Sequence, residues 1–186
     1  MAKPPSAALL LAGARELYDD PHLSFASAAQ HDAWKSGFAS GADWMRMVLC
    51  HLRGQTPPTT PTSFQQLGVV KYGLAALCAL LFLGAVIGMR GWVLLPGVVF
   101  VFYAVEAQMV FLFPLALDGS PNPIRESLAW TRAAGGTIPV MLTVMQLAAV
   151  MLFGGFFGRG FIRSWCLGCL AVVLWYEALR RQYAPA

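Results

Sequence analysis

Glu106 is the one acidic side chain in a stretch from Trp92 to Leu117 that is otherwise apolar apart from the neutral Gln108. At about 1.5 Å per residue this stretch is long enough to cross a bilayer as a helix. That places Glu106 near the midplane, where an ionisable group costs roughly 3 kcal/mol on insertion scales. Other segments must therefore solvate it. With spans running in alternate directions, Gln146 and Cys78 fall at nearly the same depth, while Tyr103 and Thr143 lie one turn from Glu106 and Gln146. An intramembrane polar cluster of Glu106, Gln146, Tyr103 and Thr143 is expected. It acts either as a hydrogen-bonded device that fixes helix registry or as a proton- or ion-handling site. With no basic partner expected at that depth, a complete ion pathway is unsupported.

Cys166-Leu167-Gly168-Cys169 places two thiols at dithiol spacing near one end of another apolar segment. A four-span protein with such a pair resembles the vitamin K epoxide reductase and disulfide-bond-forming quinone reductase families. The resemblance implies a redox pair at Cys166 and Cys169. Those families use a second cysteine pair on the outer face, and the corresponding connection here, Arg90-Gly91, has none. Cysteines are also ordinary small apolar residues of membrane spans. His22, His31 and His51 share no metal-ligand spacing with Cys50 and precede the membrane segments, so neither a metal nor a cofactor is expected. The chain carries no phosphate loop, no Gly-x-Ser-x-Gly elbow and no His-Glu-x-x-His, which lowers the expectation of an enzyme.

The elements that position these groups follow from composition. The 186 residues are 58% hydrophobic and 12% charged, against about a quarter charged in a soluble domain. The expected fold is all-α, an integral membrane four-helix bundle with spans at about 67–89, 92–117, 137–158 and 164–179. A helical N-terminal cytoplasmic region, residues 1–53, precedes it, and a Pro/Thr-rich linker, 54–66, separates that region from the membrane domain, 67–186. Within the N-terminal region, the run from Ala7 to Ala14 faintly resembles a signal peptide, but it is short and follows Pro4-Pro5. It reads instead as a helix stopping at Asp19-Asp20-Pro21. A second helix is expected from about Ser24 to Leu52, with small residues at Ser36, Gly37, Ser40 and Gly41.

Four spans put both termini on one side. Arg53, Lys71, Arg125, Arg132, Arg180 and Arg181 then share a side, with Arg90, Arg159 and Arg163 on the other, which makes the first side cytoplasmic. Trp92 and Trp165 suit the outer interface, and Tyr72, Trp175 and Tyr176 the inner one. No basic cluster is interleaved with aromatics, so nucleic acid is not an expected partner. Membrane lipid is.

The loop from Asp118 to Gly136 contains two cap-then-proline starts, Ser120-Pro121 and Asn122-Pro123. It reads as an amphipathic surface helix with Ile124, Leu128 and Thr131 on one face and Arg125, Glu126 and Arg132 toward water. Pro114, Asp118-Gly119, Pro123, Ser127, Thr131 and Gly135, set between two spans, resemble the pattern in the membrane domain of glycerophosphodiester phosphodiesterases and related uncharacterised bacterial multi-pass membrane proteins. The resemblance covers residues 114–135 and brings no phosphodiesterase domain with it. It implies an accessory membrane module in a bacterial cytoplasmic membrane. Gly84-x-x-x-Gly88 and Gly154-x-x-x-Gly158 are expected to pack spans one and three together. The function expected from all this is a non-enzymatic accessory or assembly component, contacting a protein partner through the N-terminal helices and the 118–136 loop. The alternative is a small intramembrane enzyme or transporter centred on Glu106 and Gln146, or a thiol oxidoreductase using Cys166 and Cys169.

Overall fold

Ser6 starts the first helix: its hydroxyl accepts the Leu9 N–H at 3.4 Å, and α1 runs Ala7–Asp19. The Asp-Asp-Pro run ends it, with the Asp20 carboxylate accepting the His22 N–H at 2.8 Å. In this computed structural model the described residues are 5–23, 25–26, 38–56, 64–158 and 160–183. Ser36, Gly37, most of the Pro/Thr linker and Arg159 lie outside them. The second described helix, α2, is Phe38–Arg53, and Gly54 ends it at a φ of 65°.

The described residues contain helices and no strands. Four segments are long and apolar enough to cross a membrane: Gln65–Gly88, Trp92–Leu117, Thr137–Phe157 and Phe161–Gln182. The chain is thus an all-α, multi-pass membrane bundle. Within these segments lie α3 (Gln65–Gly88), α4 (Gly97–Gln108), α5 (Leu112–Leu117), α7 (Thr137–Phe153) and α8 (Phe161–Tyr183), with α6 (Pro123–Ala133) in the connection before α7. Span four, expected to be the shortest, is a helix of 23 residues, because Arg163, Ser164 and the basic last turn at Arg180 and Arg181 all continue it.

The helices pack in sequence across the bundle: α3 on α4, α4 on α7, α7 on α8, and α8 on α1, while α2 touches α8, α5 and α3. Helix α1 runs antiparallel to α8. Gly13 of α1 lies by Leu174, and Asp19 of α1 pairs with Arg163 at 2.6 Å. At the other end of α8, Arg53 of α2 pairs with Glu177. Residues 163 and 177 are about 21 Å apart along a helix. The N-terminal helices therefore flank α8 along most of its length, rather than being confined to its cytoplasmic end as expected of residues 1–53, and Leu10, Leu11, Tyr18, Val48 and Leu49 share one apolar core with Leu167, Leu170 and Trp175. Trp92 and Trp165 are exposed near span ends, as an interfacial position requires. Trp175 and Tyr176, expected there too, are 0% and 1% exposed because α1, α2 and the Phe111 region cover α8.

Candidate functional site

Helix α3 buries a narrow face of Gly68, Lys71, Ala75, Ala79 and Val86. These residues recur at helical spacing, and all but Lys71 and Val86 are small, so α4 approaches closely along them. The amine of Lys71, on that same face, reaches Glu106 of α4 at 3.0 Å, with the two side chains 8% and 10% exposed. The ammonium also lies 5.2 Å from the Tyr72 ring centroid and 5.1 Å from that of Phe113. Glu106 thus has a basic partner. Lys71 sits about 9 Å along α3 from Gln65, close enough to an end to read as a flanking charge, and its long stem carries the amine to the carboxylate. What could have found it was the face it shares with Gly68, Ala75 and Ala79.

Span two is not one continuous helix. Helix α4 stops at Gln108 and α5 begins at Leu112. Pro114 explains part of the interruption, since it has no N–H to offer the carbonyl of Val110. An interrupted helix leaves carbonyls without intrahelical donors, which in a membrane must be satisfied by neighbours. The hydroxyl of Thr131 donates to the Ala107 carbonyl at 2.9 Å, and that of Ser127 to the Gln108 carbonyl at 2.8 Å. The Gln108 amide donates in turn to the Thr137 hydroxyl at 2.6 Å. Ser127 and Thr131 are fully buried, while Ile124 remains 38% exposed. Helix α6 is accordingly rotated from the expected Ile124-Leu128-Thr131 face: it docks through hydroxyls that cap α4. Pro123 at its first turn starts it, and Gly135 and Gly136 end it at φ of 111° and 93°.

The short α5 links this region to a second ionic group. Phe113, against Lys71, is on α5, and Asp118 terminates it. Arg53 donates to both oxygens of Asp118, at 2.6 and 2.9 Å, and to Glu177 at 2.8 Å from Nε. The Tyr176 hydroxyl donates to Asp118 at 2.6 Å, and Arg180 lies 3.4 Å from Glu177. Burial works against the Arg53 charge, but the hydrogen bonds and charges of Asp118 and Glu177 outweigh it and hold the guanidinium above its ordinary range. Beside this group Trp130 stacks on Tyr176 at 4.8 Å, and Phe111 meets Trp175 edge-on at 5.3 Å. Helices α2, α5, α6 and α8 are pinned together here.

The other expected residues are not drawn into one cluster. Gln146 is exposed on α7. Thr143 donates to the Pro139 carbonyl of its own helix at 3.1 Å. Tyr103 is half-buried, edge-on to Phe102 at 5.4 Å. Depth along a span brought these residues to one level, but Gln146 stays at the surface of α7, while Tyr103, one turn from Glu106 on α4, remains within reach of its charge. Cys166 is buried in the common core, Cys169 is half-buried, and both are free thiols, as are Cys50 and Cys78.

Gly84 and Gly88 face open space, so they do not bring spans one and three together. Gly158, at a φ of 75°, follows the 3-10 turn Gly154–Phe157 and closes the end of span three. Close approach is used instead between spans three and four. A Cβ on Gly168 would lie 2.2 Å from the Met151 side chain, and one on Gly154 would lie 2.5 Å from the Ser164 hydroxyl. The contacts of Lys71, Glu106, Arg53, Asp118 and Glu177 are charge pairs between helices, an arrangement that fixes registry and leaves their carboxylates engaged. No protein-family model, curated protein or solved structure matches the chain.

Proposed function

We propose that this multi-pass membrane protein is a non-enzymatic accessory or assembly component of a bacterial cytoplasmic membrane, with both termini cytoplasmic. One observation carries the reading: Glu106 is engaged by Lys71, and Asp118 and Glu177 are both engaged by Arg53. Carboxylates held this way act as staples between helices rather than as free acids or bases. The resemblance of residues 114–135 to accessory membrane domains is in keeping with this, and its Ser127 and Thr131 have structural work in capping α4. The outward face of α6, with Ile124, Arg125, Ala129 and Arg132 exposed, is the part of the 118–136 loop left for a protein partner. Purification in mild detergent tests the reading: a stoichiometric protein partner that is lost on Arg125→Glu/Arg132→Glu substitution is expected. A protein that purifies alone and turns over or transports a small molecule would contradict it.

A second reading, a small transporter or intramembrane enzyme centred on Glu106, is favoured by one feature. A buried ion pair beside an interrupted helix is the geometry in which membrane transporters place binding sites. Exchanging the pair, Lys71→Glu with Glu106→Lys, separates the two. A staple tolerates the exchange, whereas proton or ion handling by Glu106 is abolished by it.

A further inference from the structure

Helix α1 has 13 residues and is about 20 Å long, too short to cross the roughly 30 Å of a bilayer's hydrocarbon layer by itself. It nevertheless lies along a helix of spanning length. Gly13 sits by Leu174, so Ala7, six residues earlier, falls about 9 Å nearer the Arg180 end of α8, while Asp19 pairs with Arg163 in the first turn of α8. The Tyr18 ring adds to this second contact, with its centroid 6.0 Å from the Arg163 guanidinium carbon. The two ends of α1 thus stand toward opposite ends of α8.

The outward face of α1 changes character along the same axis. Ala8, Leu9 and Ala12 are exposed in its first half, Leu9 at 70%, and Arg15, Glu16 and Asp19 are exposed in its second. Apolar side chains need no partner against lipid, whereas charges require water or headgroups. The charged half is the one beside Arg163, where the exposed Phe161 and Trp165 mark an interface. Beyond Asp19 the chain turns back. Asp20 closes the turn, its carboxylate accepting the His22 N–H at 2.8 Å and its carbonyl the Leu23 N–H at 3.1 Å. The Phe25 carbonyl then accepts the Trp44 indole N–H at 3.1 Å, and the Phe25 ring meets His51 edge-on at 5.5 Å, close in sequence to Arg53 at the Glu177 end of α8.

We infer that α1 is an inserted strap. It enters the membrane at the Arg180 end of α8, reaches the opposite interface at Asp19, turns at residues 20–22 and leads back toward Arg53. Backbone that does not span is held at membrane depth when it is hydrogen-bonded internally and packed on protein, and α1 with its turn meets both conditions. The strap covers the face of α8 that carries Cys166, Leu167 and Leu170, closing it to lipid. Under the orientation proposed for the protein, the turn at 20–22 lies on the outer surface.

Cysteine accessibility in intact cells tests this, with a membrane-impermeant maleimide and labelling read above that of wild type. His22→Cys, Leu9→Cys and Gln182→Cys report on the turn, the lipid-facing half of α1 and the far end of α8; all three positions are exposed, so the substitutions disturb no packing. His22→Cys is expected to label in intact cells, Gln182→Cys only after permeabilisation, and Leu9→Cys only once detergent has dissolved the membrane. The mirror pattern, with Gln182→Cys labelled in intact cells and His22→Cys only after permeabilisation, supports the strap and overturns the proposed orientation alone. Labelling of His22→Cys and Gln182→Cys from the same side, or of Leu9→Cys without detergent, would overturn the strap and make α1 a surface helix.

Discussion

Spans one and four are both membrane-length helices, yet 22% of the apolar window of Gln65–Gly88 is buried in the protein against 61% for Phe161–Gln182. The more apolar helix is the one left to lipid. Leu77, Leu80, Leu81 and Ile87 of α3 are exposed, while the helix carrying Ser164, Gly168 and Glu177 lies inside α1, α2 and α7. Lipid is as apolar as leucine, so hydrophobicity offers no drive to bury a leucine face between helices. Polar and small residues do need protein neighbours, since a polar group against lipid has nothing to bond. Span four is therefore central because it is less apolar, and span one is an edge helix held chiefly by its small face and Lys71.

Substitutions can sharpen this contrast. The largest effect is expected at Gly168, where a leucine must displace Met151 and separate α7 from α8: Gly168→Leu should abolish recovery of folded protein on size-exclusion chromatography. Gly84→Leu and Gly88→Leu, on the open face of α3, should leave recovery unchanged; equal damage at Gly84 would end the distinction. Next is Arg53→Met, which leaves Glu177 with Arg180 and Asp118 with the Tyr176 hydroxyl as remaining partners and should cost about 3 kcal/mol in an unfolding titration. Tyr176→Phe in the same network removes one hydrogen bond and should cost about 1 kcal/mol. Ser127→Ala and Thr131→Val are expected to cost about 1–2 kcal/mol each, by uncapping the Gln108 and Ala107 carbonyls, with faster amide exchange near the α4–α5 interruption. Leu80→Ala, toward lipid, should be within about 0.5 kcal/mol of wild type.

The spans and the stop of α1 were legible in the sequence because they depend on local composition, run length and turn chemistry. Even there, α8 reaches beyond its expected 164–179, since charged and small residues at a span end do not stop a helix that is buried by protein. The site was legible only in part. Glu106 stood out as an acid in an apolar run, but depth selected Gln146 as its neighbour while rotation about the helix axis selected Lys71. Rotation is set by which faces pack, and in a membrane that choice rests on small and polar residues scattered among leucines. Arg53, Asp118 and Glu177 come from three distant parts of the chain, and no spacing within one helix announces their meeting. Ser127 and Thr131 were visible as a pattern, although the carbonyls they cap belong to a helix interruption that apolarity alone does not reveal.

The most direct test is a double-mutant cycle on the pair joining spans one and two, read by unfolding in detergent. Glu106→Gln and Lys71→Met alone should each destabilise by about 3 kcal/mol, by leaving a partner buried without its counter-charge, and the double substitution should restore most of that loss. Losses that simply add would mean that Lys71 and Glu106 do not meet inside the protein.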